Sequence, residues 1–359
     1  MNVFSFPARV RRGVAAAGVC LAMLGTGISL AGQAQAAPVA KAPVPAQLTS
    51  VSCVRPTWCM AVGTTFKGVY PANNLAEIWN GASWRLVATP AGAGLATVSC
   101  SATWYCLAFG SVDFLKGIKK APAFRWNGSK WLKIPAPTKP VSVSCASRTL
   151  CVTEHSHQQS VETWNGKLWT NTQLCGGGSE HCTADTVCAS ASLCMTVGWG
   201  KTELYNEDAL AHIWDGKQWS NSYVPEDGDA GIDSTLFGVS CTAQMCLAVG
   251  SPASYEWDDV TKTWHDVTPG SGVKLSGLDV SCGSTTSCMM GGGAWWNGST
   301  WTNTQFAPAP GTNPWYSWVS CKATMCLAVG ATTIAHKERP IAQMWNGTAW
   351  NATTAPKAP

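Results

Sequence analysis

Residues 51–63 read VSCVRPTWCMAVG and residues 79–84 read WNGASW. The pair returns six more times. The first phrase recurs as VSCSATWYCLAFG, VSCASRTLCVTEH, TVCASASLCMTVG, VSCTAQMCLAVG, VSCGSTTSCMMGG and VSCKATMCLAVG; the second as WNGSKW, WNGKLW, WDGKQW, WDDVTKTW, WNGSTW and WNGTAW. Successive first cysteines lie 47, 45, 43, 53, 41 and 39 residues apart. That period falls in the ~40–50 range of propeller blades and above the ~20–29 of leucine-rich repeats.

Each copy carries two hairpin signals. A short apolar, serine-rich segment (LTSVSC, 48–53) is followed by a second (CMAVG, 59–63), and the Asn-Gly or Asp-Gly after the first tryptophan marks a tight turn between LAEIW (75–79) and SWRLVATP (83–90). No 3.6-residue apolar period appears, which excludes a helical solenoid. The expected fold is all-β: a seven-bladed β-propeller with four antiparallel strands per blade. The expected bounds are 48–92, 93–138, 139–182, 183–233, 234–274, 275–313 and 314–352, after a linker at 37–47 and before a tail at 353–359.

The chain opens as an export signal. Arg9, Arg11 and Arg12 form a basic start, Gly13 to Leu30 an apolar stretch, and AQA (34–36) a cleavage site, so residues 1–36 are read as a signal peptide cleaved near Ala36. Arg11 and Arg12 raise the twin-arginine route, but the rest of that signal is missing and the general secretory route is the reading kept. No later apolar run reaches the ~20 residues of a membrane span. The expected product is secreted, and the small-residue-rich signal suits a bacterium.

Removing the signal leaves 21 basic and 20 acidic side chains. So balanced a charge argues against nucleic acid as a partner. Sixteen of the 17 cysteines remain, an even number in an exported chain, which points to disulfides. The simplest pairing lies within each copy: Cys53 with Cys59, Cys100 with Cys106, Cys145 with Cys151, Cys188 with Cys194, Cys241 with Cys246, Cys282 with Cys288, and Cys321 with Cys326. Cys175 and Cys182 are left to pair as a stapled surface loop. Zinc prefers closer ligand spacing, and no cofactor or metal is expected.

The fifth copy, SYEWDDVTKTWHDVTP (Ser254 to Pro269), resembles the kelch repeat in its aromatic, acidic turn and following tryptophan; the architecture is also that of the central domain of galactose oxidase. The resemblance implies that the VSC strand lines the central channel and the SWRLVATP strand is outermost. The other copies depart from it by a shorter WNGxxW turn, a single glycine and the added cysteine pair.

The repeated tryptophans, one pair per copy, read as packing between blades, and the serines before each first cysteine as small residues for a crowded axis. The cysteine and Asn-Gly turns share one rim and hardly vary. The opposite rim varies greatly, with long connections at 63–79, 110–126, 198–214 and 330–345. Binding residues concentrate in such loops. The candidates there are Phe66, Tyr70, Asn73, Asn74, Phe114, Trp199, Tyr205 and Asn206, with Trp315, Tyr316 and Trp318 from the link into the last copy. Aromatics beside amides suit a glycan first and an extracellular protein second, with the chain acting as a monomer or as the recognition subunit of a larger secreted complex; a structural cell-surface role is a further reading. Two weaker metal readings concern His155 with His157, and calcium at Glu226, Asp227, Asp229 and Asp233. A sialidase-like arginine triad has few sources beyond Arg55, Arg85, Arg125, Arg148 and Arg339, and no nucleophile turn is present. No enzyme is expected, except one whose paired acids come from separate blades.

Overall fold

The computed structural model describes residues 44–110, 121–155, 158–175, 181–201, 207–225, 234–270, 272–273 and 279–357. The signal segment, Phe114, His157, Tyr205, Asn206 and the four acids of the calcium reading lie outside the described residues. The described residues form twenty-eight strands in seven sheets of four, each sheet running up and down in chain order. This is the seven-bladed β-propeller that the repeat predicts.

The first strands, among them Ala46–Arg55, Leu95–Ala102, Ser144–Ser147 and Thr312–Lys322, touch one another all round the ring and enclose the axis. Second strands such as Tyr105–Gly110 are buried on both faces because a neighbouring blade covers each side. That explains why CLAFG and CMAVG are continuous apolar runs and do not alternate. The fourth strands, Trp84–Leu86 in the first blade, form the outer edge.

The repeated tryptophans pack between blades, as expected. Within a blade the two rings meet, Trp79 and Trp84 at 5.4 Å and Trp126 and Trp131 at 5.6 Å. The pair then lies against the second strand of the preceding blade: Trp126 and Trp131 on Met60 and Val62, Trp296 and Trp301 on Met245 and Leu247. Round the ring, Trp79 and Trp84 rest on Leu327 and Val329 of the last blade.

The Asn-Gly turns differ from the expectation in one respect. Trp79 pairs with Trp84, so four residues separate the strands, and only Gly81 takes a positive φ, at 96°. Asn80 contributes its side chain, whose Oδ1 accepts the N–H groups of Ala82 and Ser83 at 2.9 and 2.8 Å. The acidic counterparts Asp215 and Asp258 make the same bonds, and the donated N–H groups hold their carboxyls below the usual range. A Cβ on Gly81 would meet Thr57 of the cysteine turn at 3.0 Å. The two turns of a blade are thus packed together on one rim.

One disulfide staples each first hairpin at directly opposed positions; Cys53–Cys59 and Cys100–Cys106 both have Cα atoms 4.0 Å apart. The eighth, Cys175–Cys182, has another character. Cys182 is buried in the first strand of the fourth sheet, His181–Ser190, while Cys175 follows the last strand of the third. The bridge therefore ties two consecutive blades.

The serines before the first cysteines do more than save space. Each hydroxyl accepts the N–H of the first cysteine in the next blade: Ser52 from Cys100, Ser99 from Cys145, Ser144 from Cys188, Ser240 from Cys282 and Ser281 from Cys321, all at 2.8–2.9 Å. Ser320 closes the circle on Cys53. Only the fourth blade, with Val187 at this position, breaks the series. Among the described residues neither end lends a strand to the opposite sheet, but residues beyond the last strand strap the first blade: Thr353 accepts from Trp84 Nε1 at 3.2 Å, and the N–H of Lys357 donates to Glu77 at 2.7 Å.

Candidate functional site at the channel mouth

The structure divides the rim candidates. In the first and last blades the long connections are strands carried past the sheet, Lys67 facing Tyr70 and Ile334 facing Lys337, closed by two-residue turns. Tyr70 stands 61% exposed at such a tip, and Asn73 reaches Thr65 Oγ1 at 3.4 Å. Phe66, half-buried, borders the same tip. Asn74 is no ligand group: it is buried, donating to the Pro90 carbonyl and accepting from Gly94 N–H. Tyr316 is likewise engaged in packing, stacked on Phe306 at 4.4 Å with its hydroxyl accepting from Gln343. His155 is buried with Nε2 2.6 Å from Glu162 Oε1, a packed pair and not a solvated loop.

The remaining aromatics gather at the axis. Trp318 and Phe237 line the channel, Trp315 packs edge-on against Trp318 at 5.6 Å, and Trp199 edge-on against Phe237 at 5.7 Å. The serine ring divides the channel in two. Toward the cysteine turns lies a cavity of about 400 Å³ walled by backbone, serines and cystines. Toward the variable rim it opens into a mouth of about 680 Å³.

Three carboxyl groups from three blades line that mouth: Glu154, Asp185 and Asp279. Asp185 and Asp279 stand three residues before the first cysteine, where the first and third blades have Ser50 and Ser142. They extend the latching pattern by one register. Asp185 Oδ2 accepts the N–H of Val239 at 2.9 Å and Asp279 Oδ2 that of Val319 at 2.7 Å, as Ser50 accepts that of Val98. At the broken fourth position, Asp185 thus supplies the bond between blades that Val187 does not.

Glu154 is a different case. It stands three residues after the second cysteine, where five other blades place Val62, Phe109, Val197, Val249 and Val329 and the sixth has Gly291. The regular first strand of its blade is only four residues long, Ser144–Ser147, so a side chain on the second strand reaches the lumen beside Ser142. Glu154 Oε2 accepts from the Ser142 hydroxyl at 2.9 Å, whereas Oε1 is buried with no partner. Burial and the neighbouring Asp185 push the Glu154 carboxyl up to about 8. Burial likewise raises Asp279 to about 8 and Asp185 to about 6, against the pull of the backbone N–H groups they accept. Among the described residues, no three His, Cys, Asp or Glu side chains gather closely enough to hold a metal ion.

Reading the sequence for aromatic loops misses all three acids and Phe237. The signal that finds them is substitution within the repeat: a carboxylate where five other copies carry Val or Phe, and two aspartates where three others carry the hydroxyls of Ser50, Thr97 and Ser142.

No family model matches the chain, and no curated protein matches it in sequence. Solved structures match it in shape. The structure titled "YCF48 bound to D1 peptide" is 13% identical and covers 80% of this chain and 91% of its own, with a TM-score of 0.50. The structure of U3-55K is 11% identical, covers 79% and 88%, and gives 0.51. These neighbours share its fold. The eight disulfides suit an oxidising compartment, and no helix among the described residues is long and apolar enough to cross a membrane.

Proposed function

We propose that this chain is a secreted, non-catalytic recognition propeller whose ligand enters the channel mouth on the variable rim. The observation that carries the reading is the concave mouth itself, where apolar faces from Phe237 and Trp318 converge with three carboxyl groups on a rigid, disulfide-stapled ring. Ligand sites have this composition, a largely apolar wall with a few polar groups that fix orientation. The ligand class favoured is a segment of a protein. YCF48, a neighbour of the same fold, is bound to a D1 peptide, and a mouth of this size admits a side chain or a short turn of chain.

Carbohydrate is the second reading, supported by the aromatic faces together with the hydroxyls of Ser50, Thr97 and Ser142 in the same wall. Probing a peptide array and a glycan array with the secreted chain decides between them. Selective binding to peptides, lost in Phe237→Ser, supports the first reading. Selective binding to glycans supports the second. Binding that Phe237→Ser leaves intact on either array removes the ligand from the mouth.

A further inference from the structure

The charge of the mouth narrows what it takes. Among the described residues, its wall holds three carboxyl groups and no lysine, arginine or histidine. His155, next to Glu154 in sequence, is paired with Glu162. Lys322, a cation among the described residues of the channel wall, belongs to the cysteine end beyond the serine ring. The donors that face the acids are the backbone N–H groups accepted by Asp185 and Asp279, the hydroxyl and backbone N–H of Ser142 and the backbone N–H of Glu154 itself. One oxygen of Glu154 has no donor at all, although the side chain is only 1% exposed. An unpaired acceptor so deeply buried costs free energy that a ligand donor recovers.

Resting on the channel-mouth reading, we propose that the mouth recognises a primary ammonium group on an alkyl stem, the carboxyl groups of Glu154, Asp185 and Asp279 surrounding the charge and Phe237 and Trp318 lying against the stem. Three observations select this class. The acids come from three separate blades and so meet the mouth from different directions, which suits a group with several donors pointing apart. An ammonium has three rotatable N–H donors, where a guanidinium presents a flat fork best met by a single carboxylate. Aromatic faces beside the acids attract a cation and its methylenes alike.

Proton release follows from the same geometry. In the free mouth, burial keeps Glu154 and Asp279 largely protonated at neutral pH. A bound cation favours their ionised forms, so binding expels protons and strengthens as the pH rises toward 8, by about tenfold per pH unit for each proton released.

The test is calorimetric titration of the secreted chain with three probes: a capped Gly-Lys-Gly peptide, its acetyl-lysine counterpart and cadaverine, each in two buffers of different ionisation enthalpy. The lysine peptide or cadaverine is expected to bind with proton release, and acetylation to weaken binding by about thirtyfold or more, since it removes the charge. Binding of the peptide alone assigns a protein source for the ammonium; binding of cadaverine assigns a free amine. Glu154→Gln and Asp279→Asn should each weaken binding at least about tenfold without lowering the melting temperature, the loss expected when one charged hydrogen bond goes. Equal binding of the acetylated peptide, or no binding of any probe, overturns the ammonium proposal. The mouth itself is judged separately, by whether an array ligand responds to Phe237→Ser.

Discussion

The hydroxyl of Ser320 accepts the N–H of Cys53 at 2.9 Å, so the first and last blades are joined at the axis by the bond that joins five other neighbouring pairs. Ring closure here needs no shared strand. Replacing Ser320 with Ala leaves a channel-side N–H without its acceptor and should cost about 1–3 kcal/mol. Chemical denaturation reads this directly. The broken position gives a second check, because Val187 offers no acceptor to Cys241. The Cys241 amide should exchange hydrogen faster than the six latched cysteine amides.

Truncating a repeated tryptophan removes a wedge between blades. Trp126→Ala or Trp301→Ala should destabilise the protein by on the order of 3–5 kcal/mol, as core truncations of this size do. Both rings are buried between two blades. Tyr70→Ser, at an exposed hairpin tip, should change the melting temperature little.

Stability should fall as the pH rises. Glu77, Glu154 and Asp279 are each raised by burial to about 8 in the folded chain, and Asp185 to about 6, so the folded state holds more protons than the unfolded one between the ordinary carboxylate range and about pH 8. Where the folded state binds more protons, unfolding free energy decreases with pH. Their stabilising protonated forms are fully present below the unfolded pKa values and are lost as the pH passes through the folded ones. Thermal unfolding at about pH 5 should therefore exceed that at about pH 8.5, and Glu154→Gln should flatten the slope, each pKa unit being worth about 1.4 kcal/mol. A melting temperature that rises over this window contradicts the assignment.

The staples should be complete. Mass analysis of the purified chain, lacking residues 1–36, after alkylation without reduction should find no free thiol, and peptide mapping should join Cys175 to Cys182 as the single bridge between blades. Cys175→Ser with Cys182→Ser should then cost less than the ~3 kcal/mol of a 15-residue loop, because the loop it closes is shorter.

The fold was legible because the repeat writes it out. Cysteines opposed across a hairpin, a tryptophan on each side of the turn and small residues near the axis each have one placement compatible with a ring. The mouth was far less legible. Loop aromatics such as Tyr316 and amides such as Asn74 look like ligand groups in sequence, yet what they contact lies in a distant segment: Phe306 and Gln343 for the first, Pro90 and Gly94 for the second. Glu154 shows the opposite. Its position announces a buried apolar residue, and only the shortness of the neighbouring strand, a property of the folded blade, turns its carboxyl into the channel.

The measurement that bears most directly on the central claim compares two surfaces with one ligand taken from the arrays. Binding affinities are measured for the parent chain, for Phe237→Ser and Asp279→Asn in the mouth, and for Tyr70→Ser on the far hairpin tip, with the melting temperature of each. The account predicts that both mouth substitutions weaken binding by about tenfold or more at unchanged melting temperature while Tyr70→Ser binds as the parent does. Loss of binding in Tyr70→Ser with both mouth variants unaffected would contradict it and return recognition to the tips of the rim.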